Sequence, residues 1–127
     1  MKKRKTIIIA AAIILVSAIV SVCCMNYIEK KNRIVKVEVG DSVSAVIKGD
    51  GSLWMWGYNR RYQLGDGTGK DVKKPKKIMS DVKDVSIGVG LTGAIKKDGS
   101  LWVWGFGYST LGDGITEGAK KPKKITN

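Results

Sequence analysis

Residues 50–57 read DGSLWMWG and residues 98–105 read DGSLWVWG, so seven of eight letters recur at an offset of 48 positions. Asp-Gly is typical of a tight hairpin turn, because this pair supplies the positive φ values that such a turn needs. In the strand after each turn, alternate side chains point to opposite sides, with Leu and Met or Val on one side and both Trp on the other. Both sides are apolar, so the phrase predicts a strand that is covered on both faces.

The repetition extends well beyond this phrase and covers the rest of the C-terminal part of the chain. KKPKKI recurs at 73–78 and 120–125, after the loss of one residue from the preceding stretch. Self-similarity at a fixed spacing is the signature of stacked supersecondary units. We therefore assign residues 34–80 to a first repeat and residues 81–127 to a second.

Each repeat has the composition of β structure. In the first repeat, Ile34–Val39, Val43–Lys48 and Ser52–Trp56 are short runs rich in β-branched and aromatic residues. The Gly-rich stretch that follows predicts a long loop up to Pro75, and residues 76–79 predict a short closing strand. Three or four strands in about 47 residues match the size of one propeller blade.

The order of these segments resembles the regulator-of-chromosome-condensation repeat, whose members form β-propellers. After the Trp-rich phrase, the first repeat keeps Asn59 and the run Gln63-Leu64-Gly65, as members of this family usually do. The resemblance implies an all-β fold of two propeller-type blades, an incomplete propeller. It also implies a structural role for the recurring Trp and Gly residues, which are Trp54, Trp56, Gly57, Gly65, Trp102, Trp104, Gly105 and Gly112.

The second repeat departs from the family pattern in the loop after its Trp-rich phrase. Gly107 stands where the Asn would fall, and Thr110 stands in place of Gln. We therefore expect the second loop to have fewer of the polar contacts that usually pin it.

The first 30 residues differ in composition from the repeats. Four basic residues at positions 2–5 precede Thr6–Met25, a run of 20 residues with no charged side chain. In a helix this run would extend about 30 Å, which matches the hydrocarbon core of a bilayer. We interpret residues 1–30 as a cytoplasmic basic tip and a transmembrane signal-anchor, which places the repeats outside the cytoplasm by the positive-inside rule.

Two alternatives remain open for this segment. A cleaved signal peptide would leave a secreted protein, although residues 21–25 contain no small-x-small cleavage site. A lipid-modified Cys23 is the second alternative, although Val22 is a poor residue to precede it. Both cysteines of the chain, Cys23 and Cys24, lie in this segment, so the repeats contain no disulfide.

The composition argues against an enzyme. The chain contains no His, and its adjacent cysteines do not have a metal-ligand spacing. Asp66 and Asp113 lie in equivalent Gly-flanked loops, where Asp is an ordinary turn residue. The glycine runs lack the strand-to-helix context of phosphate-binding loops. We predict no catalytic residue, no cofactor and no metal site.

Two groups of residues are candidates for binding. The four Trp residues could form stacking platforms for sugars, but their fixed place within a strand favours packing between blades. The two KKPKK runs would form a basic rim if the blades stack in register. These lysines are Lys73, Lys74, Lys76, Lys77, Lys120, Lys121, Lys123 and Lys124.

A basic rim has two interpretations. It attracts anionic polymers, such as wall polymers or lipid head groups, or it is a solvated edge that discourages pairing with another strand. The net charge of +12 also fits nucleic acid. The predicted topology and the lack of aromatic residues among these lysines argue against a nucleic-acid partner.

These features favour a membrane-anchored module outside the cytoplasm that binds a macromolecule, with a protein as the favoured partner. The alternatives are a protein that binds wall carbohydrate or an anionic polymer, and a truncated fragment of a longer propeller protein. Because repeat arrays usually need about three units to bury a continuous core, two units should leave apolar faces uncovered. We therefore expect residues 30–127 alone to form homo-oligomers or to fold poorly.

Overall fold

The computed structural model describes residues 2–107 and 118–125 of the chain. It divides into two compact units, Met1–Arg33 and Ile34–Asn127, so the division falls between the apolar segment and the first repeat. Three positions considered in the sequence analysis lie outside the described residues, namely Thr110, Gly112 and Asp113.

The N-terminal unit is a single helix, α1 (Lys2–Asn32), in which no residue is buried. Aliphatic side chains such as Ile7 and Ile14 are more than half exposed. Among the described residues, α1 is the one helix that is long and apolar enough to cross a membrane, and a signal segment meets the same criterion. The helix continues past Met25, so it is longer than the uncharged run alone.

The repeats form two four-stranded antiparallel sheets with the same topology. The first sheet has the strand order β1-β2-β3-β4, and its strands are β1 (Ile34–Gly40), β2 (Val43–Lys48), β3 (Leu53–Gly57) and β4 (Val72–Met79). The second sheet has the order β5-β6-β7-β8, and its strands are β5 (Val82–Ile87), β6 (Leu91–Lys96), β7 (Leu101–Gly105) and β8 (Ala119–Ile125). The expected all-β fold with two blade-type units is thus confirmed.

The last strand of the first sheet is longer than the sequence predicts. β4 begins at Val72 rather than at residue 76, so Pro75 lies inside the strand and not at its start. Because β4 pairs only with β3, its other side is a sheet edge, where a proline is tolerated. The preceding loop is correspondingly shorter and covers residues 58–71.

The Asp-Gly turns also differ from the two-residue turn that the sequence suggests. Gly51 N donates to the Lys48 carbonyl (2.8 Å), and Lys48 N donates to the Ser52 carbonyl (3.0 Å). These bonds enclose a three-residue loop in which Gly51, at φ 83°, has positive φ and Asp50 does not. The predicted hairpins are therefore present, with β2 paired to β3 and β6 paired to β7, and only the Gly of each Asp-Gly pair has positive φ.

The hydrophobic core lies between the two sheets, where β1 and β2 contact β5. The first sheet contributes buried side chains from one of its faces, namely Ala45, Ile47, Leu53 and Met55. The second sheet contributes buried side chains from the opposite face of its own strands, namely Val82, Val85, Ala94 and Trp104. The two sheets therefore stack in the same orientation, with unlike faces in contact.

Candidate interaction surfaces

The recurring phrase DGSLW builds the same chain of hydrogen bonds in both sheets. Asp50 Oδ1 accepts hydrogen bonds from the backbone N (2.9 Å) and the hydroxyl (2.6 Å) of Ser52. Ser52 Oγ in turn accepts a hydrogen bond from Trp54 Nε1 (2.9 Å). The equivalent residues of the second sheet, ending in Trp102, repeat these contacts at 2.9, 2.6 and 2.9 Å. Both indole N–H groups are therefore used inside their own sheet.

Lysine side chains lie against the rings of the same two Trp residues. Lys48 Nζ lies 4.5 Å from the ring centroid of Trp54, and Lys96 Nζ lies 5.5 Å from that of Trp102. Both Trp residues are half-buried. These contacts occupy one face of each ring and the N–H group, which leaves less of each indole for stacking on a sugar.

Trp104 differs from the other three Trp residues because it inserts into the first repeat. It is fully buried, and its Nε1 donates to the Gln63 carbonyl (2.9 Å). Thr92 Oγ1 donates to the same carbonyl (2.8 Å). Gly65, at φ 71°, lies directly against the indole, since a Cβ at this position would be 2.6 Å from Nε1. The loop of the first repeat is thus the socket for the second repeat's Trp104.

Gly57 and Gly105 end the third strand of each sheet, where two backbone segments approach closely. Their φ values are 118° and 104°, a region that side chains of L-residues rarely adopt. A Cβ would also collide with the carbonyl oxygen of Ser42 in the first sheet and of Gly90 in the second. The glycine that follows each of these Trp residues therefore has a steric origin.

A buried amide fixes the loop of the first repeat. Asn59 is fully buried, and its Nδ2 donates to Asp66 Oδ1 (3.0 Å). The same nitrogen lies within hydrogen-bond distance of the carbonyl oxygens of Thr68 (2.6 Å) and Lys70 (3.1 Å). Asn59 Oδ1 accepts from Leu64 N (3.0 Å). One side chain thus ties together both ends of the loop.

Asp66 links this loop to the last strand of the first sheet. Its side chain is 2% exposed, and Oδ2 accepts a hydrogen bond from Lys76 Nζ (2.8 Å). Burial is the largest single influence and raises its pKa, but hydrogen bonds from Lys76, Thr68 and Asn59 together outweigh it, so the pKa of Asp66 lies below its ordinary value. Asp66 is therefore an ionised structural group.

The second repeat fills the equivalent position differently. Gly107 replaces the buried Asn59, and a Cβ on Gly107 would lie 2.6 Å from Leu91 Cγ. Leu91 aligns with the smaller Val43 of the first sheet. The larger Leu thus occupies part of the space that the Asn side chain needs. The expectation of fewer polar contacts in the second loop concerns residues 108–117, which lie outside the described part of the chain.

The first sheet leaves one apolar face uncovered, here called the head face and defined by Ile34, Val37 and Val39. These side chains are 53, 60 and 70% exposed. The equivalents of the first two in the second sheet, Val82 and Val85, are each 1% exposed. The same strand position is thus core in one repeat and surface in the other.

The second sheet leaves its opposite face uncovered, here called the tail face and defined by Gly93, Ile95 and Leu101. Ile95 and Leu101 are 41 and 43% exposed, whereas their equivalents Ile47 and Leu53 are 1 and 0% exposed. The tail face contains a shallow depression of about 150 Å³. Its lining also includes Asp84, Val85, Ser86 and Ala94.

The eight lysines of the two KKPKK runs are all exposed and lie on the edge strands β4 and β8. They are not uniformly solvated, since Lys76 pairs with Asp66 and Lys120 Nζ lies 5.1 Å from the ring of Tyr62. Lys and Pro on an edge strand oppose pairing with a further strand. The basic rim of the sequence analysis thus consists of one lysine-bearing edge on each sheet.

One ion pair between the sheets was not anticipated from the sequence. Lys36 of β1 pairs with Asp84 of β5, and this pair is the main reason that the pKa of Asp84 is lowered. A second contact joins Asp41 Oδ2 to Gly90 N (2.7 Å). Lys36 and Asp84 occupy the same position in the two repeats, 48 residues apart. Opposite charges at one repeat position were the signal that could have revealed the pair.

The described residues contain no group of three or more Cys, Asp or Glu side chains that could hold a metal ion. The two cysteines are exposed on α1. The polar clusters described above consist of turn, loop and edge contacts, and each has a structural explanation.

Two family models described as regulator of chromosome condensation (RCC1) repeat match the sequence, over residues 50–95 and over residues 34–63. No curated protein matches the chain. Human WBSCR16 has a similar crystal structure, with 23% identity and a TM-score of 0.64 over 72% of this chain and 24% of that one.

Two yeast structures are similar to the same extent. Prp20p from Saccharomyces cerevisiae, described with its binding to Gsp1p and histones, has 24% identity and a TM-score of 0.66 over 74% of this chain and 26% of that one. Yeast RCC1 (Prp20) in complex with Kap60 has 25% identity and a TM-score of 0.62 over 76% and 24%. This chain therefore spans about a quarter of the length of each of these structures.

Proposed function

Because the chain belongs to the regulator of chromosome condensation (RCC1) repeat family, we propose that it is a membrane-anchored module that binds a protein outside the cytoplasm and catalyses no reaction. The proposal rests above all on the uncovered head and tail faces. Each presents aliphatic side chains that are buried at the equivalent position of the other sheet. Exposed apolar surface of this kind, with polar surroundings, is typical of protein-binding sites.

The similar structures support a protein as the class of partner. Two of them concern the yeast protein, one its binding to Gsp1p and histones and the other its complex with Kap60. Those partners belong to a protein about three times as long, so only the class of ligand is carried over to this chain. The binding faces proposed here are those of an incomplete array, which a closed propeller does not expose.

Photo-crosslinking in intact cells tests the binding site. A photo-reactive amino acid placed at Val37 on the head face or at Leu101 on the tail face should give covalent adducts to a protein. The matched control carries the same amino acid at Ser80, which is exposed in the connection between the two sheets and belongs to neither face. Adducts from Ser80 alone, or none from either face, would contradict the proposal.

The membrane anchor is supported by α1, whose uncharged run has the length of a bilayer core. The basic residues at positions 2–5 favour a cytoplasmic N-terminus and repeats on the opposite side. Protease added to intact cells should therefore digest residues 34–127, because the membrane does not separate them from the protease. Full protection in intact cells would reverse the topology, and release into the medium would indicate a cleaved signal.

Anionic-polymer binding is the second candidate, and the exposed lysines of β4 and β8 favour it. Changing four of them to Ser (Lys73, Lys74, Lys120 and Lys121) should weaken retention of the full chain on an acidic matrix and flatten its salt dependence. Unchanged retention would leave these lysines as solvated edge residues. Carbohydrate binding by Trp is less well supported, because Trp104 is fully buried and the N–H groups of Trp54 and Trp102 are already bonded.

A further inference from the structure

The head face and the tail face are the two halves of a contact that already exists inside the chain. In the core, Ile47 and Leu53 of the first sheet belong to the same buried cluster as Val82 and Val85 of the second. The uncovered faces carry the same repeat positions on the other sheets. We propose that the tail face of one chain packs on the head face of a second copy, so that chains associate head to tail. This deepens the proposed function by naming a partner for its two faces.

The side chains of the two faces differ only slightly in size from those of the contact inside the chain. On the second sheet, Val103 stands where the first sheet has the larger Met55, and Gly93 lines the depression of about 150 Å³. On the head face, Ile34 stands where the second sheet has the smaller Val82. At the third position of the head face, Val39 stands where the second sheet has the larger Ile87. The three head-face residues therefore match Val82, Val85 and Ile87 in total size, and only the tail face is reduced. Small differences of this kind are tolerated in apolar contacts.

Charges at the same interface are complementary as well. Inside the chain, Lys36 of the first sheet pairs with Asp84, which has the equivalent position in the second sheet. If two copies pack in the same way, Asp84 on the second sheet of one copy lies opposite Lys36 on the first sheet of the other. The two charges are again opposite, so the attraction is kept. Asp84 retains 52% and Lys36 33% side-chain exposure, which leaves each accessible to a second partner.

The same geometry limits the size of the assembly. A head-to-tail contact is heterologous, and it forms either a closed ring or an open chain. Propellers close with about four to eight blades, and each chain supplies two. A closed ring formed by these two blades of each copy would contain about two to four copies. A second copy is favoured over an unrelated partner because one chain carries both halves of a matched contact.

Sedimentation velocity of the full chain in non-ionic detergent tests this proposal. Val37→Lys blocks the head face, and Ile95→Lys blocks the tail face, at positions that are exposed in the single chain. Wild type should sediment as a discrete assembly, and each variant should associate at least tenfold more weakly. An equimolar mixture of the two variants should form one-to-one dimers, because each retains the face that the other lacks. Ser80→Lys, with the same added charge, should behave as wild type.

Three outcomes would overturn the proposal. A monomeric wild type would show that the faces do not bind each other, while adducts to an unrelated protein would still support the proposed function. Variants that remain assembled would place the contact elsewhere, for example in α1. A mixture that stays monomeric would indicate a contact between like faces. Far-UV circular dichroism should show both variants folded, and Val39→Lys with Leu101→Lys form a second pair for the same test.

Discussion

The two repeats have nearly the same sequence, yet the same positions are buried in one and exposed in the other. Trp104 is fully buried, whereas its equivalent Trp56 is half-buried. Leu53 is fully buried, whereas Leu101 is exposed. The difference shows that both faces of each blade carry apolar side chains. The position of the neighbouring blade determines which of the two faces is buried. In a stack of two blades, each blade can bury only one of its two faces.

The loops after the Trp-rich phrase differ for another reason. The first loop has Asn59 and Asp66 as a buried polar network, and it forms the socket for Trp104. In the second repeat, Gly107 and Leu91 have replaced the Asn and the smaller Val. The two repeats therefore differ at the position that anchors the loop in the first repeat.

The largest expected effect is a contrast between the two equivalent Trp residues. Trp104→Ala should lower the free energy of unfolding by about 3–5 kcal/mol, because it opens a cavity in the core. Trp56→Ala should cost less than half of this, since the head face is uncovered. Urea unfolding of the full chain in detergent, at concentrations where it sediments as a monomer, measures both. Equal losses would mean that the head face is covered within a single chain.

The equivalent Leu residues should show the opposite contrast. Leu53→Ala removes a fully buried side chain and should cost about 2–5 kcal/mol. Leu101→Ala changes an exposed side chain and should stay within about 0.5 kcal/mol. The same unfolding experiment applies, with the Trp pair as its internal reference. If both Leu changes destabilise the monomer alike, the tail face is not open.

Sequence reasoning predicted the β-repeat architecture because the hairpin signals and the repeated phrase depend on local residues. It also placed the first three strands of the first repeat within one residue of their observed ends. It missed the early start of β4, because it treated Pro75 as a strand boundary although an edge strand tolerates proline inside it. It predicted both Asp-Gly hairpins, although not their three-residue loops, which the same dipeptide also suits.

The candidate surfaces were less accessible to sequence reasoning. An incomplete array predicts uncovered apolar faces, but which face of each blade is open depends on the order in which the two sheets stack. The ion pair between Lys36 and Asp84 depends on that order too. The role of Asp66 was missed because a Gly-flanked Asp is common in turns, and only the burial by Asn59 and Lys76 distinguishes it.

The polar network of the first loop gives a pH-dependent contrast with the second repeat. Asp66→Asn should cost about 1–3 kcal/mol at neutral pH, because it removes the charge from a buried, hydrogen-bonded carboxylate. The pKa of Asp66 is lowered in the folded chain, so this stabilisation is present above the ordinary Asp pKa of about 3.9 and is lost as the pH falls through the lower, folded value.

Urea unfolding between neutral and acidic pH measures this effect as the stability difference between wild type and Asp66→Asn. The difference should shrink on acidification. Asp98→Asn is the matched control in the second repeat, where the Ser100 hydroxyl is the main cause of the lowered pKa and the carboxylate is exposed. We expect the same direction and a smaller change. A larger pH dependence for Asp98 would contradict the structural role assigned to Asp66.

The smallest expected effect concerns the charges that distinguish the repeats at one position. Exchanging them in the double variant Lys36→Asp, Asp84→Lys keeps the attraction within the chain and between identical chains. A mixed contact with wild type would instead place Asp opposite Asp or Lys opposite Lys. Because both side chains are partly exposed, each mismatch should cost only about 0.2–1 kcal/mol.

Native mass spectrometry of wild type mixed with an isotope-labelled double variant measures this preference. Each protein should assemble with itself, and mixed assemblies should fall below the statistical proportion at low salt. High salt should restore that proportion, because about 1 M salt reduces the screening length to about 3 Å. An equimolar mixture of labelled and unlabelled wild type is the control and should exchange statistically. Statistical mixing of the double variant with wild type at low salt would show that Lys36 and Asp84 act only within one chain.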